Sequence, residues 1–224
     1  MSGSVLHLLA DGRLPVGGHA HSGGLEAALA CGLIGADAGP DSLASFLVGR
    51  LHTSGLVAAG LAARSCSLVI QGACEAEWTQ LDHEATARMV CAAARAASRA
   101  QGRGLLRLVR ATWSTPVEAL LGDAPHCAVA QGAVVALISG NALDAAQIAA
   151  YSSVSGPAWA AVRLLSLDPV SVSAMLVALC SDVDEVAAEA ARRVSEGELP
   201  STSAPLLDLL SSAHSQSEVR FFAS

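Results

Sequence analysis

The chain has 224 residues, of which 52% are hydrophobic and 15% charged, and its net charge is −7. All 13 basic residues are arginine, which excludes chemistry that needs a lysine: a Walker A phosphate loop, a Schiff base or a Ser–Lys dyad. The length allows a sizeable core, and a mean hydropathy of +0.48 leaves apolar surface for a partner to cover.

Taken in chain order, nearly every segment reads as helix, because alanine and leucine dominate and Gly, Pro and Ser clusters punctuate at helical intervals. The pattern predicts helices at 4–10, 23–33, 41–53 and 56–71, a pair within 75–97, then 104–113, 126–138, 142–166, 169–180, 183–195 and 204–214. The expected architecture is all-α, one domain over residues 1–224 built as a helical bundle of roughly ten helices, with flexible N-terminal residues and a flexible tail at 216–224. Gly102 and Gly104 are expected to interrupt the helix around them, and Gly156-Pro157 to break or kink the long 142–166 element. Acidic residues 182, 184 and 185 at one end of 183–195 and Arg192-Arg193 at the other suit a helix dipole, and Glu189 can reach Arg193 one turn on.

No run reads as membrane-spanning, since residues 54–70 are broken by Arg64, and the N-terminus lacks the basic region of a signal peptide. A cytoplasmic protein is expected, and the six scattered cysteines, without a Cys-x-x-Cys pair, read as reduced and mostly buried thiols.

Residues 11–26 gather five glycines, Pro15, two histidines and Glu26. Gly17-Gly18 and Gly23-Gly24 suit positive φ or close backbone approach, Ser22 is placed to cap a helix, and Leu25, Leu29 and Leu33 form its buried stripe. His19, His21 and Glu26 offer metal-ligand chemistry, but two imidazoles two residues apart chelate only if the loop folds back, and the alternative is packing at a protein–protein seam. Between Glu84 and Glu118 there are six arginines and no acid. They either pair with carboxylates of other helices, recognise an acidic protein surface, or bind nucleic acid, the last opposed by the negative overall charge. Tyr151 is the sole tyrosine and reads as a packed core or interface ring, while Arg163 at a helix end is placed to cap carbonyls or pair with a carboxylate. In Arg220-Phe221-Phe222 two rings stand beside a charge at a chain end, and the tail is expected to order on a partner. No Gly-x-Ser-x-Gly, His-Glu-x-x-His or triad spacing occurs.

Leu14-Pro15-Val16-Gly17-Gly18 followed by His21-Ser22-Gly23-Gly24-Leu25-Glu26 resembles the opening motif of the F-type urease accessory proteins. Ser98-Arg99-Ala100-Gln101-Gly102-Arg103 with Leu105-Leu106 is similar to that family's central Arg-Gly element, and Ala160-Ala161-Val162-Arg163-Leu164 to its late helix. Pro205-Leu206-Leu207-Asp208, His214 and Glu218-Val219-Arg220-Phe221-Phe222 resemble its C-terminal signature. His19 stands where many relatives carry an aromatic residue, residues 65–85 match no motif, and Ala223-Ser224 lack the usual terminal basic residue.

The resemblance implies an all-helical, homodimeric scaffold rather than an enzyme. It would bridge a second accessory protein of the D/H type and a nickel-carrying GTPase of the G type, for nickel insertion into apo-urease. It implies no cofactor, nickel being handled through partners, and no nucleic-acid or membrane partner. The contact residues carried over are Pro15, Gly17, Gly18, His19, His21, Ser22, Gly23, Glu26, Arg99, Gln101, Gly102, Arg103, Tyr151, Arg163, Arg220, Phe221 and Phe222. With a GTPase as partner, Arg99 or Arg103 becomes a candidate to reach its phosphates. The readings from other classes are a metal-dependent enzyme using His19, His21 and Glu26, and a helical nucleic-acid regulator.

Overall fold

The computed structural model describes residues 4–11, 21–35, 40–215 and 221–222, so the expectations at Pro15, Gly17, Gly18, His19 and Arg220 lie outside the described residues. In chain order the helices are α1 (Ser4–Ala10), α2 (Leu25–Ala30), α3 (Pro40–Arg50), α4 (Leu56–Gln71), α5 (Glu75–Ala87), α6 (Ala92–Thr112), α7 (Val117–Leu121), α8 (Cys127–Leu137), α9 (Ala142–Leu164), α10 (Pro169–Ala178), α11 (Cys180–Ser195) and α12 (Pro205–Ser215). A π-helical turn, Leu51–Gly55, joins α3 to α4 without a break. The described residues form no β-strand, and the fold is all-α.

Local chemistry accounts for the helix ends. The Asn141 side chain accepts from the Leu143 and Asp144 N–H groups, and Asp144 Oδ2 accepts from the Asn141 N–H, a closed capping box that starts α9. Asp168 caps α10 on the N–H groups of Val170 and Ser171, with Pro169 in the first turn. Gly72, at φ 65°, ends α4 in the left-handed conformation. On α11 Glu189 binds both Arg192 and Arg193, as its spacing predicts.

α4 and α9 are the central pair, and each serves two sides of the core. Leu56, Ala59 and Ala63 of α4 join Ala146, Ala150 and Val154 of α9 in a cluster with α2, α3, α10 and α11. One helical step round, Leu61, Ala62 and Cys66 join Ile148 and Ala149 in a second cluster with α1, α5, α6 and α8. Small residues make this possible, because the helices meet almost backbone to backbone. A Cβ on Gly132 of α8 would lie 2.0 Å from the Ala62 carbonyl oxygen of α4, and Ser65 Oγ donates across the same crossing to the Val129 carbonyl at 2.6 Å.

Several expectations need correction. α6 runs unbroken through Gly102 and Gly104, since both are buried, Gly102 directly against Pro125, and packing offsets their low helix propensity. α9 continues across Pro157, and α7 has no counterpart among the expected helices. Asp41–Gln71, read from the sequence as two helices, is one stretch long and apolar enough to cross a membrane, and 61% of its apolar window is buried inside the fold. Arg64 does not break it, because its side chain reaches the surface near Glu77. All six cysteines are free, but Cys31, Cys74 and Cys180 are exposed rather than buried.

Candidate functional site

Pro157 sits inside α9 and has no N–H to give to the carbonyl of Ser153, four residues back. Arg50, the last residue of α3, fills that gap. Its Nε donates to the Ser153 carbonyl at 2.8 Å, and its Nη1 donates to the Gly23 carbonyl at 2.8 Å. One guanidinium therefore repairs the proline defect and pins the Gly23-Gly24 turn to α9. Both glycines have positive φ, 59° and 93°. A side chain at Gly23 would also strike Pro157 Cγ at 2.7 Å, so glycine is required there twice over. Among the described residues no carboxylate pairs with Arg50, and burial lowers its guanidinium to about 10, still charged at neutral pH.

The turn delivers Ser22 and Glu26 to the start of α2. Ser22 is buried, and its Oγ accepts from the Glu26 N–H at 3.3 Å, while Gly24 rather than Ser22 holds the N-cap position of α2. Glu26 points to the other end of the chain. Its Oε1 accepts from the Phe221 N–H at 2.8 Å and its Oε2 from the Phe222 N–H at 3.0 Å. The His214 Nε2 donates to the Phe222 carbonyl at 3.0 Å. Arg163 covers the Phe222 ring, its guanidinium carbon 4.3 Å from the ring centroid. The two rings separate sharply in environment: Phe222 is 6% exposed within the core, and Phe221 is 80% exposed.

Beside this turn lies a groove of about 720 Å³, to which His21, Gly23, Gln101, Tyr151 and Arg163 all contribute. These residues come from separate motifs, and the fold assembles them along one surface. Tyr151 is half-buried there, and burial raises its hydroxyl pKa.

Arg99 and Gly102 face elsewhere. Arg99 forms a two-pronged pair with Asp82 of α5, at 2.9 and 2.8 Å, and also donates to the Ala124 carbonyl and to Thr86 Oγ1. Thr86 Oγ1 lies 3.1 Å from His126 Nε2, and His126 Nδ1 lies 3.1 Å from Ser98 Oγ. Because Thr86 donates to the Asp82 carbonyl, its oxygen accepts from Nε2–H, and Nδ1 is left to accept from Ser98. His126 is fully buried, and burial, reinforced by the Arg99 charge, lowers it to about 4, so it is neutral. A Cβ on Gly102 would lie 1.9 Å from the Pro125 carbonyl oxygen. The close approach expected of Gly102 is thus to the chain itself rather than to a partner.

The UreF family model matches residues 38–180. The chain is 43% identical over 223 residues to "Urease accessory protein UreF" of Mycobacterium sp. (strain JLS), covering 99% of this chain and 98% of the relative. It is 44% identical, with the same coverage, to the protein of that name from Mycolicibacterium vanbaalenii. It is 40% identical over 213 residues, 95% and 94% of the two chains, to that of Mycobacterium tuberculosis (strain ATCC 25177 / H37Ra). The chain belongs to the UreF family.

Of the candidate metal ligands, His19 lies outside the described residues, and His21 and Glu26 are described. Both oxygens of Glu26 accept from backbone N–H groups of the chain's other end. Among the described residues no three His, Cys, Asp or Glu side chains converge. Arg99 is held by Asp82, so it is not free to reach a partner's phosphates, whereas Arg103 is exposed. Arg163 faces the Phe222 ring.

Sequence reasoning missed Arg50, Asp82, Thr86 and His126. Arg50 carried a usable signal: it follows Leu43 and Leu47 at i+7 and i+3 on the buried face of α3, where a charge demands a partner. Asp82 falls in the stretch that matched no motif, and nothing local links it to Arg99.

Proposed function

We propose that this UreF-family protein is a non-enzymatic urease maturation factor. It acts as a homodimeric cytoplasmic scaffold that bridges a second accessory protein and a nickel-carrying GTPase, for nickel insertion into apo-urease. The observation that carries this reading is the 40–44% identity to proteins named urease accessory protein UreF, extending over 94–98% of their lengths. The two matches over 223 residues span the Gly-Gly turn, the groove and the docked Phe222 together.

The geometry supports scaffolding. His21, Gly23, Gln101, Tyr151 and Arg163 share one groove, and the exposed Phe221 is held on a backbone clamped by Glu26. A large aromatic presented on a fixed backbone is a typical interface anchor. Nickel is cargo here, passed between partners.

Co-expression with the other urease accessory proteins of the host, followed by size-exclusion chromatography with light scattering, tests the proposal. A stoichiometric complex containing two copies of this chain is expected. A monomer that co-elutes with none of them overturns it.

A further inference from the structure

Six arginines lie between Glu84 and Glu118 without an acid among them, and the fold spends four. Arg88 binds Glu84 and the Pro200 carbonyl, Arg95 the carbonyls of Met89 and Val90, Arg99 Asp82, and Arg110 Glu118. Arg103 and Arg107 remain. Both are exposed, and neither has a hydrogen bond or ion pair among the described residues.

They stand one turn apart on α6, with Cβ atoms about 6 Å apart. Ala96, Ala100 and Ala111 share their face by helical spacing and are exposed too. Methyl side chains on either side leave the two guanidinium groups proud of a smooth helix surface. On a molecule of net charge −7 this is a local, uncompensated positive spot.

We infer that the exposed face of α6 docks an acidic protein partner, whose carboxylates pair with Arg103 and Arg107. The inference rests on the maturation reading for the set of partners. Two guanidinium groups one turn apart match two carboxylates at helical spacing, each pair in fork geometry. Other occupants fit less well. Nucleic acid binding rests on neutralising many phosphates, and the surrounding molecule repels them. A second copy docked by two-fold symmetry sets like charges against each other. A membrane surface calls for bulky apolar side chains beside the basic ones, and this face offers alanine.

The test compares wild type, R103A/R107A and R103E/R107E, each co-expressed with the host's other urease accessory proteins, with affinity measured at about 50 and about 300 mM salt. All three should melt alike, since both positions are exposed. The wild-type complex should weaken with salt, the alanine variant should bind more weakly, and the reversed variant should lose about tenfold or more with a flatter salt dependence. Equal affinity and equal salt dependence in all three overturns the docking face and leaves the maturation reading intact. Capture of no accessory protein by wild type overturns the maturation reading and this inference with it. DNA binding by wild type that disappears in R103E/R107E replaces the protein partner with nucleic acid and overturns the proposal.

Discussion

Arg50 illustrates how a single side chain can carry two distant segments. It answers the carbonyl that Pro157 leaves open and the carbonyl of Gly23, which lies 27 residues away in sequence. Replacing it with glutamine removes the charge-assisted bonds and leaves acceptors half-satisfied, at a cost of about 3 kcal/mol. The expected result for Arg50→Gln is a urea midpoint lowered accordingly, with helix content retained; an unchanged midpoint contradicts the strut. His126 makes a second prediction at this scale. Its pKa in the fold is about 4, below the ordinary 6.5, so between those values the unfolded chain takes up a proton that the fold refuses. The stabilisation from keeping His126 neutral is complete above about pH 6.5 and is lost as pH falls toward 4, amounting to about 3 kcal/mol. Denaturation at pH 7 and at pH 5 should show a steeper loss for wild type than for His126→Gln, and parallel losses would rule out this residue as the source.

Between elements, the controlling feature is how near alanine and glycine let the backbones come. At Gly132 and at Gly102 a carbonyl oxygen of another element occupies the space of a side chain, at 2.0 and 1.9 Å. Gly132→Ala and Gly102→Ala should therefore each cost about 3 kcal/mol through overpacking. Gly49 is the matched control, a helical glycine with nothing within 4 Å of its Cβ position. Gly49→Ala should stabilise by up to about 1 kcal/mol through helix propensity alone. Thermal melts of the three variants check the contrast, and a similar loss at all three positions would refute the close crossings. The same closeness explains why α6 passes through Gly102: its cost in propensity is smaller than the gain from seating the helix on Pro125 and His126.

For the molecule as a whole, burial is incomplete in a patterned way. Val170 and Val177 of α10 are 73% and 72% exposed, while Val172 and Leu176 of the same helix are buried. Val170→Ser with Val177→Ser should leave the melting midpoint within about 0.5 kcal/mol of wild type, and Leu176→Ala should cost about 2–4 kcal/mol. A large loss from the serine pair would mean that this face is core. Six free cysteines give a further test on the intact protein: reductant should leave its melting midpoint unchanged.

Residues by themselves determined most of the helical segments, though not α7 or the continuity of α6. Helical spacing, the Asn141 and Asp168 caps, Gly72 and the dipole-matched charges of α11 all act within a turn or two, where sequence distance equals spatial distance. Motif order likewise sufficed for the UreF resemblance, and the alanine-rich composition for a closely packed all-α core. Only the tertiary structure decided what each motif touches. Gly102 looks like a helix breaker until Pro125 is seen against it, Arg99 looks available until Asp82 is seen beneath it, and Glu26 looks unpartnered until the N–H groups of Phe221 and Phe222 are found on its oxygens. The reason is that hydrogen bonds and ion pairs depend on distance in space. A partner 17 residues away for Arg99, 103 for Arg50 or 195 for Glu26 leaves no periodic trace along the chain.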